Sequence, residues 1–193
     1  MTVAIGAPSG VFTENSGSVR VFTWLDGWIQ LGEDLDGEAS GDRFGASVSL
    51  SSDGTFLAVG APNNDNNGNS SGKASIHFWN GTVWSQIGED IIGTAVQYQL
   101  GTSVSLSADG GIVAIGAPGS DSPANSGSAL IFKREGNSWV QLGVTINGED
   151  VDDFSGSSVS LSSDGTRIIV GAPENDGGGE NSGHAKVYDL ECD

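Results

Sequence analysis

The chain has 193 residues, and its 7 Lys and Arg stand against 25 Asp and Glu, a formal charge of −18. A field of that sign repels nucleic acid and anionic membrane surfaces, and no apolar run reaches the ~18 residues of a membrane helix, so nucleic-acid partners and helical membrane insertion are excluded. Glycine numbers 31 and charged residues are only 17%. With Ser and Asn also plentiful, this is the composition of many short strands joined by turns, an all-β chain.

The first element, Thr2–Pro8, reads Thr-Val-Ala-Ile-Gly-Ala-Pro. It opens directly, without the charged start and apolar run of a signal peptide, so any targeting segment is expected outside this sequence. A polar loop leads to an alternating strand, Val-Arg-Val-Phe at 19–22, and then to Trp28-x-Gln30-x-Gly32. At Gly45 begins GASVSLSSDGTFLAVGAP, at Gly101 GTSVSLSADGGIVAIGAP and at Gly156 GSSVSLSSDGTRIIVGAP. Gly-Ala-Pro recurs from Gly6, Gly60, Gly116 and Gly171, at spacings of 54, 56 and 55 residues. Trp-x-Gln recurs at Trp28, Trp84 and Trp139, and a Ser-Gly before an alternating strand has its glycine at 17, 72, 127 and 183. Independent markers with one period identify a repeat of about 55 residues.

Each unit parses into four strands. Ser-Val-Ser-Leu is the first, and an Asp-Gly pair (Asp53-Gly54, Asp109-Gly110, Asp164-Gly165) then predicts a tight primed hairpin, because Gly accepts positive φ freely. The strand running into Gly-Ala-Pro is the second, and proline ends it because it cannot donate to a ladder. The strand after Ser-Gly is the third and Trp-x-Gln the fourth. One such unit cannot bury both its faces, so neighbours must stack. Small residues in the first two strands and aromatics in the later ones fit blades that converge on an axis and diverge outward, which favours a β-propeller over a sandwich. A parallel β-helix is the structural rival. The chain divides as one repeat domain, 1–193: a partial blade at 1–44, repeats at 45–100 and 101–155, and a partial repeat at 156–193, about three and a half blades in all.

Phe44-Gly45 followed by Val59-Gly60-Ala61-Pro62 resembles the FG-GAP repeat of the integrin α-chain head. The Gly-Ala-Pro half is kept in four copies. The Phe-Gly half becomes Leu100-Gly101 and Phe154-Ser155-Gly156 in the later ones. The resemblance implies a propeller, commonly of seven blades, on a cell-surface or secreted protein that binds other proteins or matrix. Calcium-binding members carry an Asp-x-Asp-x-Asp-Gly loop between the first two strands, whose hard oxygens suit Ca²⁺. Here only Asp53, Asp109 and Asp164 survive of that pattern, and a lone carboxylate in a tight turn is first a turn-former. They are the metal candidates, for weak Ca²⁺ binding; no cofactor is required.

The loop after Gly-Ala-Pro is the most variable and polar part of the unit. It holds Asn64 and Asp65 in one copy, Asp121 in the next and Asn175 and Asp176 in the last. These five are the ligand-binding candidates, because rim loops on a rigid scaffold are where binding is usually found; the alternative is an Asx turn that satisfies the backbone alone. A second acidic set follows the Trp-x-Gln strand: Glu33, Asp34, Asp36, Glu38 and Asp42, then Glu89 and Asp90, then Glu149, Asp150, Asp152 and Asp153. Its unequal charge between copies reads as a solvated connecting loop. The recurrent tryptophans read as packing between blades.

His77 and His184 occupy unrelated positions in the repeat, and no Ser/His/Asp set or metal-type spacing assembles from them. The single Cys192 excludes an internal disulfide and a cysteine cage. The expectation is therefore a non-enzymatic binding or adhesion module, extracellular or at the cell surface, whose rim loops contact protein or glycan. The alternatives are a structural repeat or half-propeller completed by self-association, and a polysaccharide-acting propeller enzyme. The half-unit left over predicts either a homo-oligomer or a place within a longer repeat chain.

Overall fold

The computed structural model describes residues 1–9, 16–119 and 125–190. Seventeen strands and no helix form four antiparallel sheets among these residues. The first sheet contains β1 (Thr2–Ala7), β2 (Ser18–Trp24), β3 (Trp28–Gln30) and β4 (Leu35–Asp36). The second runs β5 (Ser47–Leu50), β6 (Phe56–Ala61), β7 (Lys73–Trp79) and β8 (Trp84–Gln86), with β9 (Ile91–Ile92) paired back onto β7. The third repeats this with β10 (Ser103–Leu106), β11 (Ile112–Ala117), β12 (Ser128–Glu135), β13 (Ser138–Gln141) and β14 (Ile146–Asn147). The fourth holds β15 (Ser158–Leu161), β16 (Arg167–Ala172) and β17 (His184–Asp189).

Two features differ from the sequence reading. The middle sheets carry a fifth, two-residue strand, because the chain leaving β8 turns back and pairs Ile91 with Ala74 and Ile92 with Lys73. The Asp-Gly hairpin is also not a two-residue primed turn. Gly54 N–H closes a turn onto Ser51 O at 3.0 Å, and in that turn Gly54 alone has positive φ, at 74°. Side chains impose this longer turn. Ser51 Oγ donates to Asp53 Oδ1 at 2.6 Å and accepts the Phe56 N–H at 2.9 Å, which brackets the loop from both sides. The same bracket forms at Ser107–Asp109 and Ser162–Asp164.

The sheets stack through three like junctions. Period-2 alternation sends Leu57 and Val59 of β6 toward Val19 and Val21 of the first sheet, while Ala58 faces the third sheet. Ala74 and Ile76 meet Val113 and Ile115 in the second junction, and Ala129 and Ile131 meet Ile168 and Val170 in the third. Burial of apolar side chains on both faces of β6 and β11 is the main stabilising term, at roughly 25 cal/mol per Å² removed from water.

The repeated glycines follow from the closeness of this stacking. Gly45 donates to Gly60 O at 3.0 Å within its own sheet, and its carbonyl lies so near Gly6 that a Cβ there would sit 2.0 Å from it. The serines of the first strands are not simply solvated. Ser49 Oγ accepts the Leu106 N–H at 3.0 Å and Ser105 Oγ the Leu161 N–H at 2.9 Å, which ties neighbouring first strands together.

Candidate functional site

The loops joining second to third strands carry the ligand-binding candidates. Residues 63–71 and 174–182 adopt one hydrogen-bonded shape in two different repeats. Asn64 Nδ2 donates to Asp42 Oδ2 at 2.8 Å, and Asn175 Nδ2 to Asp153 Oδ2 at 2.9 Å, all four residues being buried. Asn64 Oδ1 accepts the Asn66 N–H and Asn175 Oδ1 the Gly177 N–H, which are Asx turns. Asp65 Oδ1 accepts the Ser70 N–H and Asp176 Oδ1 the Asn181 N–H, both at 2.7 Å. Two of the five candidates, Asn64 and Asn175, are thus frame rather than contact surface. Asp65 and Asp176 are exposed, beside Asn66, Asn67 and Asn69 in one loop and Glu180 in the other. Asp121 lies outside the described residues.

Burial would raise the Asp153 carboxyl. Hydrogen bonds from Asn175 and from the N–H groups of Asp150 and Glu149 outweigh it and hold the carboxyl below the usual range. The pair therefore acts as a charge-assisted latch between a linker and the following sheet.

The three metal candidates serve their turns. Asp53 Oδ1 accepts from Ser51 Oγ, the Thr55 N–H and Thr55 Oγ1 at 2.6, 2.9 and 2.8 Å. Asp109 accepts from Ser107 and the Gly111 N–H, and Asp164 from Ser162 and Thr166. These bonds, that from the serine first, lower all three carboxyls, Asp164 to about 2. Among the described residues no group of three His, Cys, Asp or Glu is disposed to hold a metal ion.

Sequence reasoning missed a polar cluster at the first junction. Lys73 begins β7 with its side chain buried, and its Nζ donates to Glu38 Oε2 at 2.9 Å and Asp90 Oδ2 at 3.1 Å. On the same strand face, Ser75 Oγ and His77 Nε2 are 3.0 Å apart, and the His77 ring meets Phe44 edge-on at 6.3 Å. Burial pushes His77 down to about 4, against the opposing pull of Asp90, so the imidazole is neutral at pH 7. Burial also opposes charge on Lys73, yet its two carboxylate partners raise it. A cavity of about 60 Å³ remains between Asp36, Gln86 and these groups. The signal was present in the sequence: Lys73, Ser75 and His77 alternate where another repeat has Ser128, Leu130 and Phe132. Ser75 and His77 are both buried and line this cavity. The linker acids, expected as a solvated loop, are in part structural: Asp42 and Asp153 are buried in their bonds to Asn64 and Asn175, and Asp90 holds the buried Lys73.

A groove of about 690 Å³ runs between the outer strands of the second and third sheets past Glu89, Phe132, Asn137, Trp139 and Gln141. Trp139 Nε1 donates across it to Ile87 O at 3.0 Å, as Trp84 Nε1 does to Leu31 O at 2.9 Å. Those two tryptophans bind one sheet to the one before.

Residues 35–77 and 145–188 match the sequence profile of the FG-GAP repeat. Those two stretches are FG-GAP repeats. Each matched stretch contains one of the Asp–Asn latches, Asp42–Asn64 or Asp153–Asn175. Between the matched FG-GAP stretches, Tyr98 stands where the latch carboxylate would be, and its hydroxyl pairs with Ser128 Oγ at 3.0 Å.

No curated protein sequence matches the chain. Among solved structures, the chain is similar to a putative 6-phosphogluconolactonase from Bacteroides uniformis, at 15% identity and TM-score 0.59, over 92% of this chain and 48% of that one. It is also similar to a chain in the complex of KlAtg21 with the coiled coil of AgAtg16, at 15% identity and TM-score 0.61, over 91% and 47%. At such identities the likeness speaks for chain path alone. The chain spans about half the length of either. The fold is all-β, with antiparallel sheets arranged as propeller-like blades.

Proposed function

We propose that this chain is a non-enzymatic interaction module in which the FG-GAP blades hold rim loops out to a protein or glycan partner at the cell surface or outside the cell. On this reading the four sheets are blades on a four-strand plan, two whole and two partial, about three and a half in all. The observation that carries it is the pair of loops at 63–71 and 174–182. Their internal hydrogen bonds repeat bond for bond, while the exposed side chains differ. A frame kept constant beneath a varied surface suits recognition, because a pre-ordered loop loses little entropy on binding. The polar surface and net charge of −18 favour a basic or hydroxyl-rich partner.

The test is a binding panel of purified glycans and basic and neutral extracellular proteins. Wild type is compared with two surface variants, Asn66→Ala with Asn69→Ala and Glu174→Ala with Glu180→Ala, all four side chains being exposed and outside the hydrogen-bonded frame. Binding that weakens at least tenfold in a loop variant supports the reading. Binding indifferent to both loops, or turnover of a polysaccharide by the wild-type chain, overturns it.

A further inference from the structure

The three junctions inside the chain share one plan. A forward face, made of Val19 and Val21, then Ala74 and Ile76, then Ala129 and Ile131, packs on a backward face of Leu57 and Val59, then Val113 and Ile115, then Ile168 and Val170. Every one of these residues is buried. By repeat position, the backward face of the first sheet is Val3 and Ile5, beside Phe22 and Trp28. They line an apolar hollow of about 430 Å³, with Ile5 55% and Trp28 47% exposed. The forward face of the fourth sheet is Ile169 and Val187, 42% and 65% exposed, with Ala185 beside them. At its margin Arg167 and Asp189 neutralise each other at 2.7 Å. The molecule thus displays both halves of the contact it makes three times internally, one at each end.

We infer that this chain associates head to tail with a second copy, the forward face of the fourth sheet seating on the backward face of the first. Two central strands from each side supply the contact: β16 and β17 against β1 and β2. The two faces differ, so the contact is heterologous and can close on itself. A closed pair is the smallest assembly that leaves neither kind of end face exposed. The inference does not depend on the rim loops, which lie away from both faces. Each copy carries −18, so repulsion opposes the encounter, and salt must strengthen the association rather than weaken it.

The experiment is light scattering on the intact chain after size exclusion, at low and high salt, with variants Ile5→Glu and Val187→Glu. Both positions are exposed, and circular dichroism checks that the variants fold. Wild type is expected at twice the 19.6 kDa of one chain, more completely at high salt. Each variant alone is expected at 19.6 kDa, because a closed pair uses both faces of every copy. Mixing the two variants brings one intact face of each kind together and is expected to restore a pair, held by one contact. A wild-type monomer at every concentration overturns the inference. So does loss of the pair in Ile5→Glu but not in Val187→Glu, which would mean that two first sheets meet face to face.

Discussion

Asn64 donates through Nδ2 to Asp42 Oδ2 at 2.8 Å, across 22 residues of sequence and with both side chains buried. The bond joins the linker that leaves the first sheet to the loop that follows β6. It thereby fixes the rim loop and the register of two repeats together.

Asn64→Ala leaves the Asp42 carboxylate buried without its donor, and the expected loss of stability is about 1–3 kcal/mol. Asp42→Ala is expected to cost a similar amount. The double variant should cost less than the sum, because neither partner is then stranded. Urea unfolding of the four proteins measures this coupling, and strict additivity would show the latch to be inert.

His77 gives the fold a specific pH dependence. Its ordinary value is 6.5 and its folded value about 4, so between these the unfolded chain binds a proton that the folded chain does not. Stability is therefore full above pH 6.5 and falls as the pH drops toward 4, by at most about 3 kcal/mol. Lys73, Asp90, Glu38 and Asp36 face the same cavity and set the local field. His77→Phe, which places there the residue found at 132, should flatten the slope in that window. Below it, the lowered Asp53, Asp109, Asp153 and Asp164 lose their own contributions, and that limb should survive in the variant. Thermal melts across the range separate the two limbs.

Two glycine substitutions separate close packing from backbone strain. A Cβ at Gly116 would lie 1.9 Å from Gly156 O, a backbone atom, so Gly116→Ala is expected to cost about 3 kcal/mol or more. Gly136 has φ of 64° and nothing within 4 Å of a Cβ, so Gly136→Ala is expected to cost only about 1–2 kcal/mol. Equal losses in denaturant titrations would contradict the close approach of neighbouring sheets.

The tryptophans divide in the same way. Trp84→Phe removes a hydrogen bond to Leu31 O and is expected to lower stability by about 1 kcal/mol. Trp28→Phe should leave the stability of a single chain unchanged and weaken association instead. Unfolding and light scattering on both variants test this contrast.

The strands, the Gly-Ala-Pro stops and the packing role of Trp84 and Trp139 were legible in the sequence, because a repeat shows its own alignment. The turn at Ser51–Gly54 was not, since Asp-Gly alone does not reveal that Ser51 and Asp53 bracket a longer loop. Ile91–Ile92 escaped notice because a two-residue strand carries no alternation to read. The binding candidates were found by composition, which cannot separate a buried frame residue such as Asn64 from its exposed neighbour Asp65. Lys73 and His77 were missed for the opposite reason. Their meaning lies in the departure of one copy from the others and in partners supplied by a different sheet.

One kind of sheet-to-sheet junction builds the molecule from within and, in the inferred pair, extends it from without. Hydrogen exchange of the intact chain, followed by mass spectrometry at low and high protein concentration, tests it most directly. β6 and β11 are expected to be the slowest to exchange at both concentrations, and β1, β2, β16 and β17 to gain protection at the higher one while the loops at 63–71 and 174–182 do not. Protection that rises on those loops, or stays unchanged at both end sheets, would contradict it.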